Sequence, residues 1–140
     1  MNLSGQNSMK SHNTYVKVRY AETDQMGVVH HGNYAEYLEI ARLDWLSTLG
    51  ISYKTMENEG VMLPVYELHF KFIKSAFFED ELRIETSLVK TPGVKIEFNY
   101  KVYNQDNQLL TTANTVLIFM NTESRRPIKC PEYILQKLTV

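Results

Sequence analysis

The run Tyr20-Ala21-Glu22-Thr23-Asp24-Gln25-Met26-Gly27-Val28-Val29-His30-His31-Gly32-Asn33-Tyr34 holds the side chains best suited to chemistry. One acid, Asp24, falls in a short loop beside Met26, Val28 and Val29. A carboxylate among apolar neighbours is poorly hydrated, so its reactivity is expected to be perturbed. The loop leads from an expected strand into an expected long helix. The first N–H groups of a helix have no acceptor within it and suit a developing negative charge. An acid facing a helix start is a machine for acyl transfer. The plain alternative is an Asx-turn made by Thr23-Asp24.

Other candidates carry their own alternatives. His30 and His31, with Asp24 or His69, invite a metal reading, but adjacent histidines point apart and the spacing matches no zinc pattern. The local reading of His30 is a loop residue that packs or hydrogen-bonds nearby. No G-x-S-x-G elbow is present, so a serine hydrolase of that type is not expected. Cys130, between Lys129 and Pro131, has no nearby His and reads as inert. Glu39 and Arg42 lie i, i+3 on the expected helix, where a mutual ion pair is preferred over Glu39 as a second acid. Tyr34, Tyr37 and Trp45 sit at core spacing. Lys90, Lys95, Arg125, Arg126 and Lys129 flank turns. They read either as solvated surface or as a phosphate clamp, a task arginine does well.

The elements that must position these groups follow from periodicity. Tyr15 to Tyr20 alternates apolar and basic and reads as a strand. Asn33 is the expected N-cap of the long helix, with Glu36 completing a capping box. Tyr34, Tyr37, Leu38, Ala41, Trp45 and Leu49 recur at helical spacing, while Ile40, Leu43 and Leu46 widen the apolar surface. Such a helix is largely buried. Gly50 ends it, giving a span of about 25 Å from Asn33 to Leu49. Ser52 to Asn58 reads as a short capped helix stopped by Gly60. Strands are expected over Tyr66–Phe72, Leu82–Leu88, Val94–Val102 and Leu109–Asn121, with turns at Thr91-Pro92-Gly93 and Asn104–Gln108. Pro131 to Leu138 reads as a short terminal helix. Period-two strands have one wet face and one buried face, and the helix must cover the buried one. The fold class is therefore α+β.

The chain has 140 residues, 44% of them apolar, which suits one domain with a real core. Fifteen basic and sixteen acidic residues leave a net charge of −1, which argues against a nucleic-acid binder driven by bulk charge. A single cysteine excludes an internal disulfide. No segment reaches the length of a membrane span, and the polar N-terminus lacks the apolar region of a signal peptide. Residues 1–13 are expected as a flexible tail, residues 14–140 as the domain, and the cytoplasm as the location.

The pattern D-x-M-G-V-V-H-H-G-N-Y followed by Y-L-E-I-A-R resembles the hot-dog-fold acyl-CoA thioesterases, within them the 4-hydroxybenzoyl-CoA thioesterase-like group (YbgC/FadM type). The resemblance runs from about Tyr15 to about Pro131 and is sharpest over Tyr20 to Arg42. Ser75–Leu82 and Arg125-Arg126-Pro127 fit it too. It implies a hot-dog fold, an antiparallel sheet of about five strands wrapped around one long central helix. It implies hydrolysis of an acyl-CoA thioester to free acid and coenzyme A. Asp24 would act as nucleophile or general base, and His31 would offer its backbone N–H and its side chain. Val29, His30, Gly32, Asn33, Tyr34, Lys90, Arg125 and Arg126 would contact substrate, the last two at the phosphates. Neither metal nor cofactor is implied, coenzyme A being part of the substrate. Members form homodimers or homotetramers with sites between subunits; no nucleic-acid partner is expected, from the charge balance. Two rivals are an acyl-ACP thioesterase and a non-catalytic acyl-CoA-binding hot-dog module. The His-plus-acid pattern of a hot-dog dehydratase is not visible.

Overall fold

The structure, a computed structural model, describes residues 11–138. Seven strands and three helices follow one another: β1 (Ser11–Lys17), α1 (Tyr34–Thr48), α2 (Tyr53–Asn58), β2 (Val61–Met62), β3 (Val65–Phe72), β4 (Glu81–Leu88), β5 (Lys95–Tyr103), β6 (Leu109–Ile118), β7 (Met120–Asn121) and α3 (Glu132–Leu138). Five strands make one sheet in the order β1-β4-β5-β6-β3, and β2 pairs with β7 apart from it. All the pairings are antiparallel. The class is α+β, as expected.

Alternation of side chains builds the core. Leu82, Ile84 and Leu88 of β4, and Ile96, Phe98, Tyr100 and Val102 of β5, are buried on one face. Tyr37, Leu38, Ala41, Trp45 and Leu46 of α1 meet that face. Contacts from both edges of the sheet converge on α1. Asp44 receives Thr14 of β1 at 2.6 Å, Trp45 meets Phe98 edge-on at 5.4 Å, and Tyr34 packs against Phe70 and Phe72 of β3. The sheet thus curls around one long helix, the hot-dog arrangement that the resemblance implied. Gly50, at φ +76°, ends α1 with paired bonds from Gly50 N–H to Ser47 O and Ile51 N–H to Leu46 O.

Several expectations need correcting. The first strand starts and ends earlier than expected: Ser11 to Asn13 already pair with β4, so the tail boundary at residue 13 lies inside the sheet. The rest of that expected tail, residues 1–10, lies outside the described residues. Tyr20–Glu22 is a 3₁₀ turn, because the Glu22 side chain folds back onto Arg19 N–H and diverts the chain from the strand. Asn33 does not cap α1 through its side chain. It is already helical, and a 3₁₀ turn over His31–Asn33 leads into the helix. Glu39 and Arg42 form no ion pair. Arg42, 6% exposed, turns inward and donates to the Tyr100 hydroxyl at 3.2 Å, while Glu39 stays at the surface. Ile40 and Leu43 also remain exposed on the outer face of α1.

Candidate active site

The Asp24 loop is closed by its own backbone. Thr23 bridges Val29, Asp24 N–H donates to Val28 O at 2.8 Å, and Gly27 N–H donates to Asp24 O at 3.0 Å. Gly27 takes φ +76°, a conformation that a side chain would strain. The returning leg then docks on residues 76–78: Val29 N–H reaches Ala76 O and Phe78 N–H reaches Gly27 O, each at 2.9 Å. That segment is held in turn by Asp80, which accepts Phe77 N–H at 2.8 Å.

Asp24 uses one oxygen for the loop and leaves the other open. Its Oδ1 accepts Met26 N–H at 2.8 Å and Val28 N–H at 3.1 Å. Its Oδ2 takes no hydrogen bond among the described residues. The Asx-turn is therefore present, and it leaves one oxygen free for chemistry. The expected apolar burial is not supplied by this chain. Asp24 is exposed, and Met26 is 82% exposed, because the loop projects beyond the end of the sheet.

The chain leaves this loop directly into the helix start. His30 N–H donates to Glu22 O at 3.1 Å, and its ring Nδ1 accepts Gly32 N–H at 3.1 Å. His30 is thus the local cap, which matches its plain reading. Asn33 N–H donates to His30 O, and Asn33 Nδ2 donates to Glu22 O at 2.8 Å. The His31 N–H has no acceptor among the described residues, so it is the free donor of this turn. The His31 ring lies flat against Phe72, with centroids 4.5 Å apart. Phe72 stacks in turn on Phe70 at 5.4 Å.

A cleft of about 200 Å³ opens beside these groups, lined by Val28, Val29, His31, Tyr34 and the segment from Phe72 to Ala76. Tyr34 closes its floor, and burial raises the Tyr34 phenol above its ordinary range. Of the expected contact residues, Val29, His31 and Tyr34 line the cleft, and Gly32 and Asn33 lie in the turn beneath it. Asp24 sits just outside, bonded to Val28 on the rim.

The expected phosphate clamp lies elsewhere. Arg125, at φ +60°, and Arg126 are exposed in the turn that follows β7. That turn neighbours the Val65 end of β3, since Leu117 pairs with Val65 and Ile118 N–H meets Pro64 O. The cleft adjoins the Phe72 end, about 25 Å away along an eight-residue strand. Lys90 sits in the β4–β5 turn, at the same far end. Within one chain, none of the three reaches the cleft.

Three groups escaped the sequence reading. Glu22 is a buried acid in the loop base, Phe72 is a wall of the cleft, and Asp80 holds the docking segment. The Arg19–Glu22 spacing of three is the one signal for Glu22 that the sequence carries. Cys130 is buried, and burial followed by the neighbouring Glu132 pushes its thiol up to about 11, so it is not a nucleophile at neutral pH. Among the described residues no group of three His, Cys, Asp or Glu is arranged to hold a metal, and no helix is long and apolar enough to cross a membrane.

The chain is similar to known proteins over most of its length. A family model described as the thioesterase-like superfamily matches residues 18–138. YneP of Bacillus subtilis is 34% identical over 114 residues, covering 81% of this chain and 83% of that protein. The acyl-CoA thioester hydrolase YbgC of Escherichia coli is 28% identical over 120 residues, covering 86% of this chain and 90% of its own. Among solved structures, a DHNA-CoA thioesterase from Staphylococcus aureus superposes with a TM-score of 0.82. It has 39% identity and covers 85% of this chain and 80% of its own.

Proposed function

This chain belongs to the thioesterase-like superfamily, and from that premise we propose how its own residues carry out the reaction. The protein is a thioester hydrolase acting on acyl-CoA. One observation carries the assignment of the site. The loop that leaves Asp24 Oδ2 free runs without a break into the free His31 N–H at the rim of the cleft. The thioester carbonyl oxygen accepts from His31 N–H, which stabilises the negative charge that grows as the carbonyl carbon becomes tetrahedral. Asp24 Oδ2 either attacks that carbon or takes a proton from the water that does. The C–S bond breaks and the thiolate of coenzyme A leaves; where Asp24 attacks, the mixed anhydride it forms is then cleaved by water, and on either route water gives its oxygen and one proton to the free acid and its other proton to the thiolate. The His31 ring, fixed on Phe72, orients the thioester.

The site is completed by a second copy of the chain. β3 is an edge strand, and its exposed residues include Val65, Tyr66, Leu68 and Phe72. An apolar, unpaired edge calls for a partner. Two β3 strands paired antiparallel about His69 place Glu67 of one copy opposite Lys71 of the other, and Leu68 opposite Phe70. This two-fold pairing is self-complementary. It shields the Phe72 end of each cleft. It also brings the Val65 end of the second copy, with that copy's Arg125 and Arg126, beside the cleft. The phosphate clamp then acts between subunits.

The stacked pair of His31 and Phe72 in the cleft, with Phe70 packed against Phe72, favours a flat aromatic acyl group. The DHNA-CoA thioesterase likeness agrees with that preference. Thiol release across a panel of aromatic, short and long acyl-CoA esters, with matching acyl-ACP esters, tests the reading. Aromatic CoA esters are expected to give the highest kcat/KM. Greater turnover of the ACP esters would reassign the carrier, and greater turnover of long aliphatic esters would reject the aromatic preference.

A further inference from the structure

Glu22 is the one acidic residue that is buried among the described residues, at 7% exposure, and the hydrolysis described above makes no direct use of it. A carboxylate out of water is costly unless several donors meet it. Three do. Arg19 N–H reaches Oε1 at 2.9 Å, Arg19 Nε reaches Oε2 at 2.8 Å, and the Tyr37 hydroxyl reaches Oε1 at 2.8 Å. The same residue's backbone carbonyl accepts His30 N–H at 3.1 Å and Asn33 Nδ2 at 2.8 Å. One residue therefore ties together the end of β1, the first turns of α1, and both legs of the loop that carries Asp24.

We infer that Glu22 is the positioning residue of this site. Its side chain fixes the outgoing leg against α1, its carbonyl fixes the returning leg at His30, and the two anchors set the separation between Asp24 Oδ2 and His31 N–H. The inference rests on Asp24 being the acting acid. The chemical reason is geometric. Asp24 stands on an exposed loop, and among the described residues its side chain is held only by the loop's own Met26 and Val28 N–H groups. The position of that loop as a whole is set two residues upstream, at the point where it enters the core. A displacement of about 1 Å at a reacting group can cost up to about 100-fold in rate. The carboxylate of Glu22 is also held in its charged form. Burial alone would raise it, but the hydrogen bonds from Arg19 and Tyr37 outweigh burial and keep it below the usual carboxylate range. The anchor thus stays ionised over the pH range in which a thioesterase works.

Glu22→Gln is nearly the same size, but its amide N–H₂ faces a donor in Arg19 Nε or in Arg19 N–H and Tyr37, so one anchor contact becomes repulsive. With folding checked by circular dichroism and light scattering, kcat on a benzoyl-CoA probe should fall about 10- to 100-fold, with KM within about twofold. In an Asp24→Asn background the same change should cost almost nothing more, since the group being aimed is gone. The inference is overturned if kcat stays within twofold of wild type, if KM rises in step with any loss, or if Glu22→Gln costs the same factor with and without Asp24. Wild-type turnover by Asp24→Asn alone would instead reject the reading of Asp24. If Glu22→Gln does not fold, Tyr37→Phe removes a single hydroxyl from the same carboxylate. It should lower kcat about threefold at unchanged KM, and an unaltered kcat would overturn the inference.

Discussion

Asp24→Asn separates shape from chemistry. An asparagine keeps an Oδ1 that can accept from Met26 N–H and Val28 N–H, the two bonds that now hold the Asp24 side chain at 2.8 and 3.1 Å. What it loses is the charge, and in place of the free Oδ2 it presents an amide nitrogen that neither attacks a thioester nor accepts a proton from water. The exposed position screens the loss of charge assistance in the two loop bonds, so stability should change by less than about 1 kcal/mol. For a chain of this size, that keeps Tm within about 5 °C of wild type. Turnover should fall by about 100-fold or more, equal to about 2.7 kcal/mol or more of barrier. Some rate above background should persist, because His31 N–H still polarises the carbonyl. The assay is steady-state thiol release followed with a thiol-reactive chromophore, alongside a thermal melt. A folded Asp24→Asn protein with turnover near wild type would refute the reasoning. A protein that lost turnover together with more than about 10 °C of Tm would show that the side chain serves the loop rather than the reaction.

Replacing Arg125 and Arg126 together by Ala should raise KM for an acyl-CoA by about 5- to 30-fold, from two exposed charge contacts of up to about 1 kcal/mol each. It should leave kcat nearly unchanged, because phosphate contacts act alike in ground and transition states. A pantetheine thioester without the nucleotide should show no such rise, and equal shifts for the two substrates would move the clamp elsewhere. Leu68, 41% exposed on the β3 edge, should be essential to pairing. Leu68→Arg is expected to give a monomer in light scattering with turnover lost, and an active monomer would remove the second copy from the site. The lowered pKa of Glu22 predicts how stability responds to acid. Its contribution is fully present above the unfolded carboxylate value of about 4.3 and is lost as pH falls through the lower folded value. Urea midpoints of wild type and Glu22→Gln should therefore differ at pH 6 and converge toward pH 3, and a gap that stays constant with pH would contradict an anchor that depends on the charge of the Glu22 carboxylate.

Much of the scaffold was legible because period-two strands and a 3.6-period helix leave strong marks. Leu82, Ile84 and Leu88, or Ile96, Phe98, Tyr100 and Val102, alternate so regularly that their buried face could be named in advance. Ser52 was read as a cap, and its hydroxyl accepts Thr55 N–H at 3.3 Å. The two-residue β2 and β7 were invisible, since periodicity needs more residues than that. The cap of the helix start was misplaced because His30 uses a ring nitrogen where Asn33 offered a commoner side chain. Glu39 looked like the partner of Arg42, but only the packed core brings the Tyr100 hydroxyl within reach. Asp24 and His31 could be picked out through the motif. The distance from Arg125 and Arg126 to the cleft could not, because it depends on the β1-β4-β5-β6-β3 order, which local pattern does not encode. Glu22 was hidden for a related reason: its importance comes from Tyr37 on α1, fifteen residues along the chain.

The central claim is that the thioester lies between Asp24 and His31. The most direct test is a crystal structure of Asp24→Asn with benzoyl-CoA bound. The account predicts the thioester carbonyl oxygen within hydrogen-bond distance of His31 N–H, the carbonyl carbon facing residue 24, the aromatic ring against Phe72, and the phosphates beside Arg125 and Arg126 of the second copy. A thioester group bound away from His31 N–H, whatever holds the nucleotide, would contradict it.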